Sequence, residues 1–382
     1  MPEALAPNRL ALASRRLRQD GVRVVDLTES NPTQVGLRYP PRLLAPLADP
    51  EGVRYEPAPF GLESARRAVA QELGQTGPDV DPDRIVLTAS TSDAYSTLFK
   101  LLCDPGDGVL VPCPSYPLFE HLTRLEGVEA VPYGLEFHGR WEVDVAGLRA
   151  DQAEGVRAVL AVSPNNPTGS FVTTSEFEHM TAVCRARGLA LIVDEVFGRY
   201  PMSGGRRGPS VLDSTPDVLT FVLGGLSKAV GLPQLKLGWV VVAGPDAVVE
   251  KALARLELIC DTYLPVGTPV QHAAASLLKA GASITSQIAE RVQGNYGCLA
   301  RLSESYPTVT LLPTEGGWYA VLQVPGVRSE EQLVLDILEH DRVLVQPGYF
   351  FDFPHEAFLV VSLLPEPAVF ETAMRQVLTT AS

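Results

Sequence analysis

The sequence predicts an α/β protein, with a large domain built on a mostly parallel sheet covered by helices and a smaller α+β domain. Three observations carry this reading. Short apolar runs without polar alternation recur between residues 85 and 243, separated by stretches of helical spacing, as in strands buried on both faces. The chain has 382 residues, 46% hydrophobic and 20% charged, which is more than one core commonly holds. Polar residues gather just after several apolar runs, where an open α/β sheet places its ligand.

Residues 5 to 20 carry an amphipathic helical pattern, and Leu27 to Gly36 is rich in turn residues, so 1–45 reads as an arm and small-domain segment. The large domain is expected over 46–284. A helix from about Leu62 to Leu73 follows the loop Tyr55 to Gly61. Ile85 to Thr88 reads as a buried strand that passes through Ala89-Ser90-Thr91-Ser92 into a helix with Ala94, Leu98, Leu101 and Leu102 on one face. Further strands are expected at Val109–Val111, Ala158–Val162, Leu189–Val193, Leu219–Leu223 and Gly238–Ala243. After a helix through Ala247 to Cys260 the small domain, 285–382, is expected to hold strands at 318–324 and 358–363, with helices near 330–340 and 366–379.

The net charge of −14 leaves no basic surplus to neutralise phosphates, which argues against a nucleic-acid partner. No stretch is long and apolar enough to span a bilayer. The five cysteines stand at neither zinc-ligand nor redox spacing and read as reduced thiols, pointing to the cytoplasm.

The polar residues at strand ends carry the chemistry. Lys228 follows the strand ending at Leu223. A lysine at the end of an apolar strand, partly desolvated and near other cations, has a lowered pKa and a free amine able to form a Schiff base with an aldehyde; the alternative is a solvated loop lysine. Ser90, Thr91 and Ser92 either cap their helix or, with its free N–H groups, bind a phosphate. Asn165-Asn166-Pro-Thr-Gly169 is a turn or a ligand loop, and Asp194 a helix cap or a site carboxylate. Their joint order along the chain favours a site.

With these residues in that order, the sequence resembles the pyridoxal-phosphate-dependent class I/II aminotransferases, fold type I. The resemblance runs through Asn31-Pro-Thr33, Tyr55 with Gly61, Asp104 to Asp107, Pro112 to Pro117, Asn165 to Gly169, Asp194-Glu195, Ser227-Lys228 and Gly238. It implies that Lys228 binds pyridoxal 5′-phosphate as a Schiff base and moves a proton at the substrate Cα. Asp194 would pair with the pyridinium nitrogen and Asn166 would donate to the phenolic oxygen. Tyr116 would stack on the ring. Ser90, Thr91, Ser92 and Lys236 would hold the phosphate, and Tyr55 would reach the phosphate of a second subunit in a homodimer with shared active sites. The implied activity is transfer of an amino group from an amino donor to a 2-oxo acid. The alternatives are a β-eliminating lyase on the same scaffold and a noncatalytic cofactor-binding regulatory protein.

Four positions depart from the family pattern. Phe197 replaces a tyrosine that donates to the phenolic oxygen, Gly225 replaces a phosphate-binding serine, and Lys236 replaces an arginine. Val360 stands where the family places the arginine that clamps a substrate carboxylate, leaving Arg38 or Arg54 as candidate replacements or a substrate of another kind. Trp318 and Tyr319 either face the substrate or pack the small domain's core. Losing the tyrosine donor should raise the pKa of the Schiff base. A spectroscopic pH titration of Phe197→Tyr is therefore expected to show a lower pKa than the parent, and an unchanged value would remove this role from position 197.

Overall fold

The computed structural model describes residues 7–150, 154–202 and 207–382; residues 5 and 6 of the expected N-terminal helical pattern lie outside the described residues. Helix α1 (Arg9–Gln19) starts on the Asn8 cap, whose side chain accepts from the Ala11 amide. Strand β1 (Val25–Asp26) and helix α2 (Glu63–Gly74) precede the main sheet. Next come β2 (Ile85–Thr88), α3 (Thr91–Leu102), β3 (Gly108–Cys113), α4 (Phe119–Leu125), β4 (Glu129–Phe137), β5 (Trp141–Val143) and α5 (Val145–Ala150). They lead into β6 (Val156–Val162), α6 (Thr174–Arg187), β7 (Ala190–Asp194), β8 (Thr220–Gly225), α7 (Leu226–Ala229), β9 (Gly238–Ala243) and α8 (Asp246–Tyr263).

The eight-stranded sheet has the order β2-β9-β8-β7-β6-β3-β4-β5. Its centre is parallel, from β8 through β7, β6 and β3 to β4. Strand β9 runs antiparallel to both β8 and β2, because the short connection 226–237 returns the chain beside the strand it has just left. Strand residues alternate between two cores. Leu160, Ile192, Phe221 and Val240 pack on one face with α3 and α8, whereas Val159, Leu191, Val222 and Val241 pack on the other. Strands β4 and β5 went beyond the sequence reading: β4 mixes charged residues with Pro132 and Gly134 and is largely solvated near the sheet edge.

Helix α9 (Thr268–Ser303) runs for 36 residues, so the boundary expected near 284/285 falls inside one continuous helix. Beyond it lie β10 (Thr310–Leu311), β11 (Tyr319–Gln323), α10 (Glu330–Asp336), β12 (Val343–Leu344), β13 (Gln346–Pro347), β14 (Phe358–Ser362) and α11 (Pro367–Ala381). Strands β10-β11-β14-β13 form a smaller antiparallel sheet, and β1 pairs with β12. The N-terminal segment is pinned there, since the Ser362 hydroxyl donates to the Glu29 carbonyl at 2.6 Å. No helix among the described residues is long and apolar enough to cross a membrane.

Two contacts make the smaller sheet part of the site. Ser115 donates its amide to the Phe351 carbonyl, and the Cys113 thiol reaches the Asp352 carbonyl, so the 348–353 turn holds the segment that carries Tyr116. That turn is anchored by Glu330, 1% exposed, whose carboxylate accepts from the Tyr349 amide at 2.9 Å and the Phe358 amide at 2.7 Å. Removing a carboxylate that satisfies buried amides costs about 1–3 kcal/mol for each amide left unpaired. Glu330→Ala is expected to lower unfolding stability by roughly 2–4 kcal/mol in urea titration, with Glu330→Gln falling between it and the parent; a loss below about 0.5 kcal/mol would refute this anchoring role.

Candidate active site

The site begins where β7 and β8 end. These strands are parallel neighbours with Asp194 opposite Leu223, and the chain turns from Gly225 directly into α7, which carries Lys228. Asp194, Lys228, Asn166, Tyr116 and Thr91 line one cavity of about 120 Å³, together with Ser30, Ser227 and Tyr319. Strand ends therefore bring together residues far apart in the chain, as expected for a ligand site on an open sheet.

Asp194 is buried and accepts from the Tyr95 hydroxyl at 2.8 Å and the Val196 amide at 3.0 Å. Burial nevertheless holds its pKa above the ordinary carboxylate value, against the pull of those two donors and of Lys228. Burial also lowers the Lys228 pKa to about 8. The expected help from neighbouring cations is absent: the charge acting on Lys228 is Asp194, which pulls the other way, so desolvation alone is responsible.

A hydrogen-bonded turn positions the opposite wall. Asn165 accepts from the Ser115 hydroxyl at 2.6 Å and donates to the Pro114 carbonyl at 3.0 Å, tying the 163–170 turn to the segment of Tyr116. Gly169, at φ 71°, lets that turn touch the small domain; a Cβ there would lie 2.6 Å from the Gly316 carbonyl oxygen.

The remaining expected residues lie elsewhere. Ser90 caps α3, accepting from the Asp93 amide, so its hydroxyl already serves the helix. Ser92 is half-buried outside the cavity lining. Lys236 is exposed and faces a separate groove with Thr88, Ala89 and Tyr263. Tyr55 is 65% exposed. Gly225 pairs with Gly238, and a Cβ on it would stand 3.2 Å from the Gly238 Cα, which explains the absence of a larger residue. Val360 is fully buried in β14 between Val321 and Gln346. Arg38 and Arg54 are exposed and outside the lining, where Lys228 is the one cation among the described residues. Tyr95 was missed by sequence reasoning, although it stands four residues after Thr91 on the same inner face of α3. Phe350, Phe351 and Phe353 do not line the cavity; Phe353 stacks on Phe358.

These groups fit an aldehyde-bearing pyridine. Asp194 is a buried carboxylate with hydrogen-bond donors but, among the described residues, no ion pair, a setting that favours a cationic ring nitrogen. The Asn166 amide stands in the lining with its Oδ1 buried and unpartnered, and Lys228 offers an amine of lowered pKa.

A buried lysine also has a stability signature. Its folded pKa, about 8, lies below the ordinary 10.5, so the buried ammonium destabilises the fold below pH 8, and the penalty disappears as pH rises from 8 to 10.5. Lys228→Met is expected to stabilise the cofactor-free chain at pH 7 by roughly 1–3 kcal/mol, less what Asp194 loses with its neighbouring cation, and to show no gain above pH 10.5. Equal urea stability of the two proteins at pH 7 would contradict a desolvated Lys228.

Comparison with known proteins gives a consistent result. The sequence matches the family described as aminotransferase class I and II over residues 24–375. An alanine aminotransferase of Mycobacterium tuberculosis (strain H37Rv) is 29% identical over 92% of this chain and 83% of its own. The glutamate-pyruvate aminotransferase AlaA of Escherichia coli K12 is 27% identical over 92% of this chain and 88% of its own. Among solved structures, an alanine aminotransferase from Pyrococcus furiosus superposes with a TM-score of 0.88 at 24% identity, covering 97% of this chain and 95% of that one. The match over nearly the whole sequence, on a fold shared with solved aminotransferases, shows that the chain belongs to the class I and II aminotransferases.

Proposed function

We propose that this chain binds pyridoxal 5′-phosphate in the cavity at Lys228 and transfers an amino group from an amino donor to a 2-oxo acid. The observation that carries this reading is the placement of Lys228 and the buried carboxylate of Asp194 in one cavity, the carboxylate oriented by Tyr95 and the Val196 amide. The family is pyridoxal-phosphate-dependent. When bound, the cofactor supplies an aldehyde that captures the amino group and an electron-withdrawing ring that acidifies the substrate Cα–H bond.

The protein's part is holding and proton movement. With the cofactor bound, Lys228 would hold its aldehyde and would move a proton at the substrate Cα, a task suited near neutral pH by a pKa of about 8. Asp194, oriented by Tyr95 and the Val196 amide, keeps the ring nitrogen protonated. Asn166 would hold the phenolic oxygen, Tyr116 would cover a ring face, and Thr91 with the N-terminus of α3 would hold the phosphate. Ser90, Ser92 and Lys236 stand outside the cavity lining and would reach a phosphate there only by leaving the positions they hold, Ser90 its cap and Lys236 its separate groove.

A homodimer with shared sites is supported by an apolar surface: Val53 is 93%, Tyr55 65%, Tyr263 67% and Leu264 63% exposed. The two segments adjoin, because a Cβ on Gly52 would lie 3.6 Å from Pro269. Tyr55 and Arg54 could then reach a second subunit's cavity. Unpaired thiols support a reducing, cytoplasmic setting.

The relatives' names make alanine, glutamate and pyruvate the substrates to test first. Val360 stands where the family pattern has its carboxylate-binding arginine, so a carboxylate would be recognised by another cation or the substrate is of another kind. Adding single amino acids and amines to the holoprotein while recording cofactor absorbance is expected to show conversion to the amine form by one donor, reversed by a 2-oxo acid, and lost in Lys228→Ala. If Arg54 or Arg38 clamps the carboxylate, its replacement by alanine raises the donor KM about tenfold or more, the loss of a charge-assisted contact. Release of a 2-oxo acid without an acceptor would assign the β-eliminating lyase, and no conversion by any amine would favour the noncatalytic binding protein.

A further inference from the structure

The amine of Lys228 has an unusual set of neighbours. Among the described residues no hydrogen bond or ion pair reaches its Nζ. Instead the nitrogen lies 4.6 Å from the centre of the Trp318 ring and 5.4 Å from that of Phe197. Both distances are within the range of cation–π attraction, which is strongest for indole. Phe197 brings its ring to this distance without the hydroxyl expected at its position.

Trp318 is built into the site at both ends of the lysine. It is fully buried just before β11 and meets Phe197 edge-on at 5.2 Å and Tyr200 edge-on at 5.2 Å. Tyr200 in turn donates its hydroxyl to the Lys228 carbonyl at 2.5 Å. One aromatic group therefore braces the backbone of Lys228 through Tyr200 and faces its amine directly. The Trp318 indole N–H is buried without an acceptor, a penalty that a phenylalanine packed in the same place would not carry. Apolar packing alone does not account for an indole here; the wide electron-rich face over Lys228 does.

We propose that Trp318 is a positioning residue for Lys228, its indole face holding the ε-ammonium in the cavity and raising the lysine's affinity for a proton against the effect of burial. The titratable groups around the lysine are Asp194 at the end of β7, Tyr95 from α3, Tyr116 beyond β3, Tyr200 beyond β7 and Tyr319 from β11. Burial raises the pKa of every one of these tyrosines, so they stay neutral and Asp194 is the other charge. Trp318 and Asp194 thus act in the same direction on Lys228, from different sides of the fold. This inference concerns the lysine itself and holds whichever amine is the substrate.

The test is the pH dependence of acetylation of Lys228 by acetic anhydride in the cofactor-free, full-length protein, quantified by peptide mass spectrometry. Trp318→Leu should move the labelling midpoint down by about half a pH unit to one pH unit, and Trp318→Phe should recover most of the shift. A merely structural role gives the opposite sign, because a loosened pocket admits water and moves the midpoint up. An unchanged or raised midpoint in Trp318→Leu overturns the proposal, as does a Trp318→Phe midpoint as low as that of Trp318→Leu. Should Trp318→Leu fail to fold by circular dichroism, Trp318→Phe and Phe197→Leu decide. Each is expected to lower the midpoint by a smaller amount, and no downward shift in either overturns the proposal.

Discussion

The site depends on keeping one lysine and one carboxylate out of water at the ends of adjacent parallel strands. Neither charge is comfortable there: burial lowers the Lys228 pKa and raises that of Asp194. An isolated cavity with these two groups would relax by admitting water. Here β7 and β8, which bring the two groups together, are packed on both faces, by Leu191 and Val222 on one side and Ile192 and Phe221 on the other. The stability of the sheet is thus converted into the electrostatics of the site, and the strained protonation equilibria are what make the lysine useful near neutral pH.

The smaller sheet contributes to this arrangement instead of merely capping it. Arg140 joins Glu315 at 3.0 Å and Glu176 at 3.4 Å, and Glu315 also accepts from the Phe171 amide at 2.8 Å. Those contacts fasten the turn that carries Asn166 to the approach of β11, which carries Trp318 and Tyr319. On the other side the turn at 348–353 holds the segment of Tyr116. Helix α9 runs beneath both units without a break, so they share a rigid support as well as a site.

The departures from the family pattern have separate physical consequences. At Gly225 a Cβ would stand 3.2 Å from the Gly238 Cα, so a side chain there would press the backbone of β9. At Phe197 the hydroxyl is gone but the ring remains, facing both Lys228 and Trp318. Val360 sits in the core of β14, and a cation at that position would have to be accommodated by rebuilding the strand's packing. Among the described residues Lys228 is the one cation lining the cavity, beside the rings of Tyr116, Phe119, Phe197 and Tyr319.

The sequence by itself determined six of the main sheet's eight strands and the polar residues at their ends. Ile85–Thr88 and Gly238–Ala243 coincide with β2 and β9, and Asp194 and Lys228 stand at the ends of β7 and β8. These were legible because fully buried strands are continuous apolar runs, and a polar residue directly after one is conspicuous. Only the tertiary structure decided that Tyr95 holds Asp194, that Ser90 is occupied as a cap, and that Lys236 and Tyr55 stand outside the cavity. It also decided that Trp318, some ninety residues beyond Lys228, lies over its amine. Periodicity records which face of an element is buried, but not what that face meets. Partners brought together by different strand ends leave no local pattern in the chain, and they are fixed only when the two sheets pack.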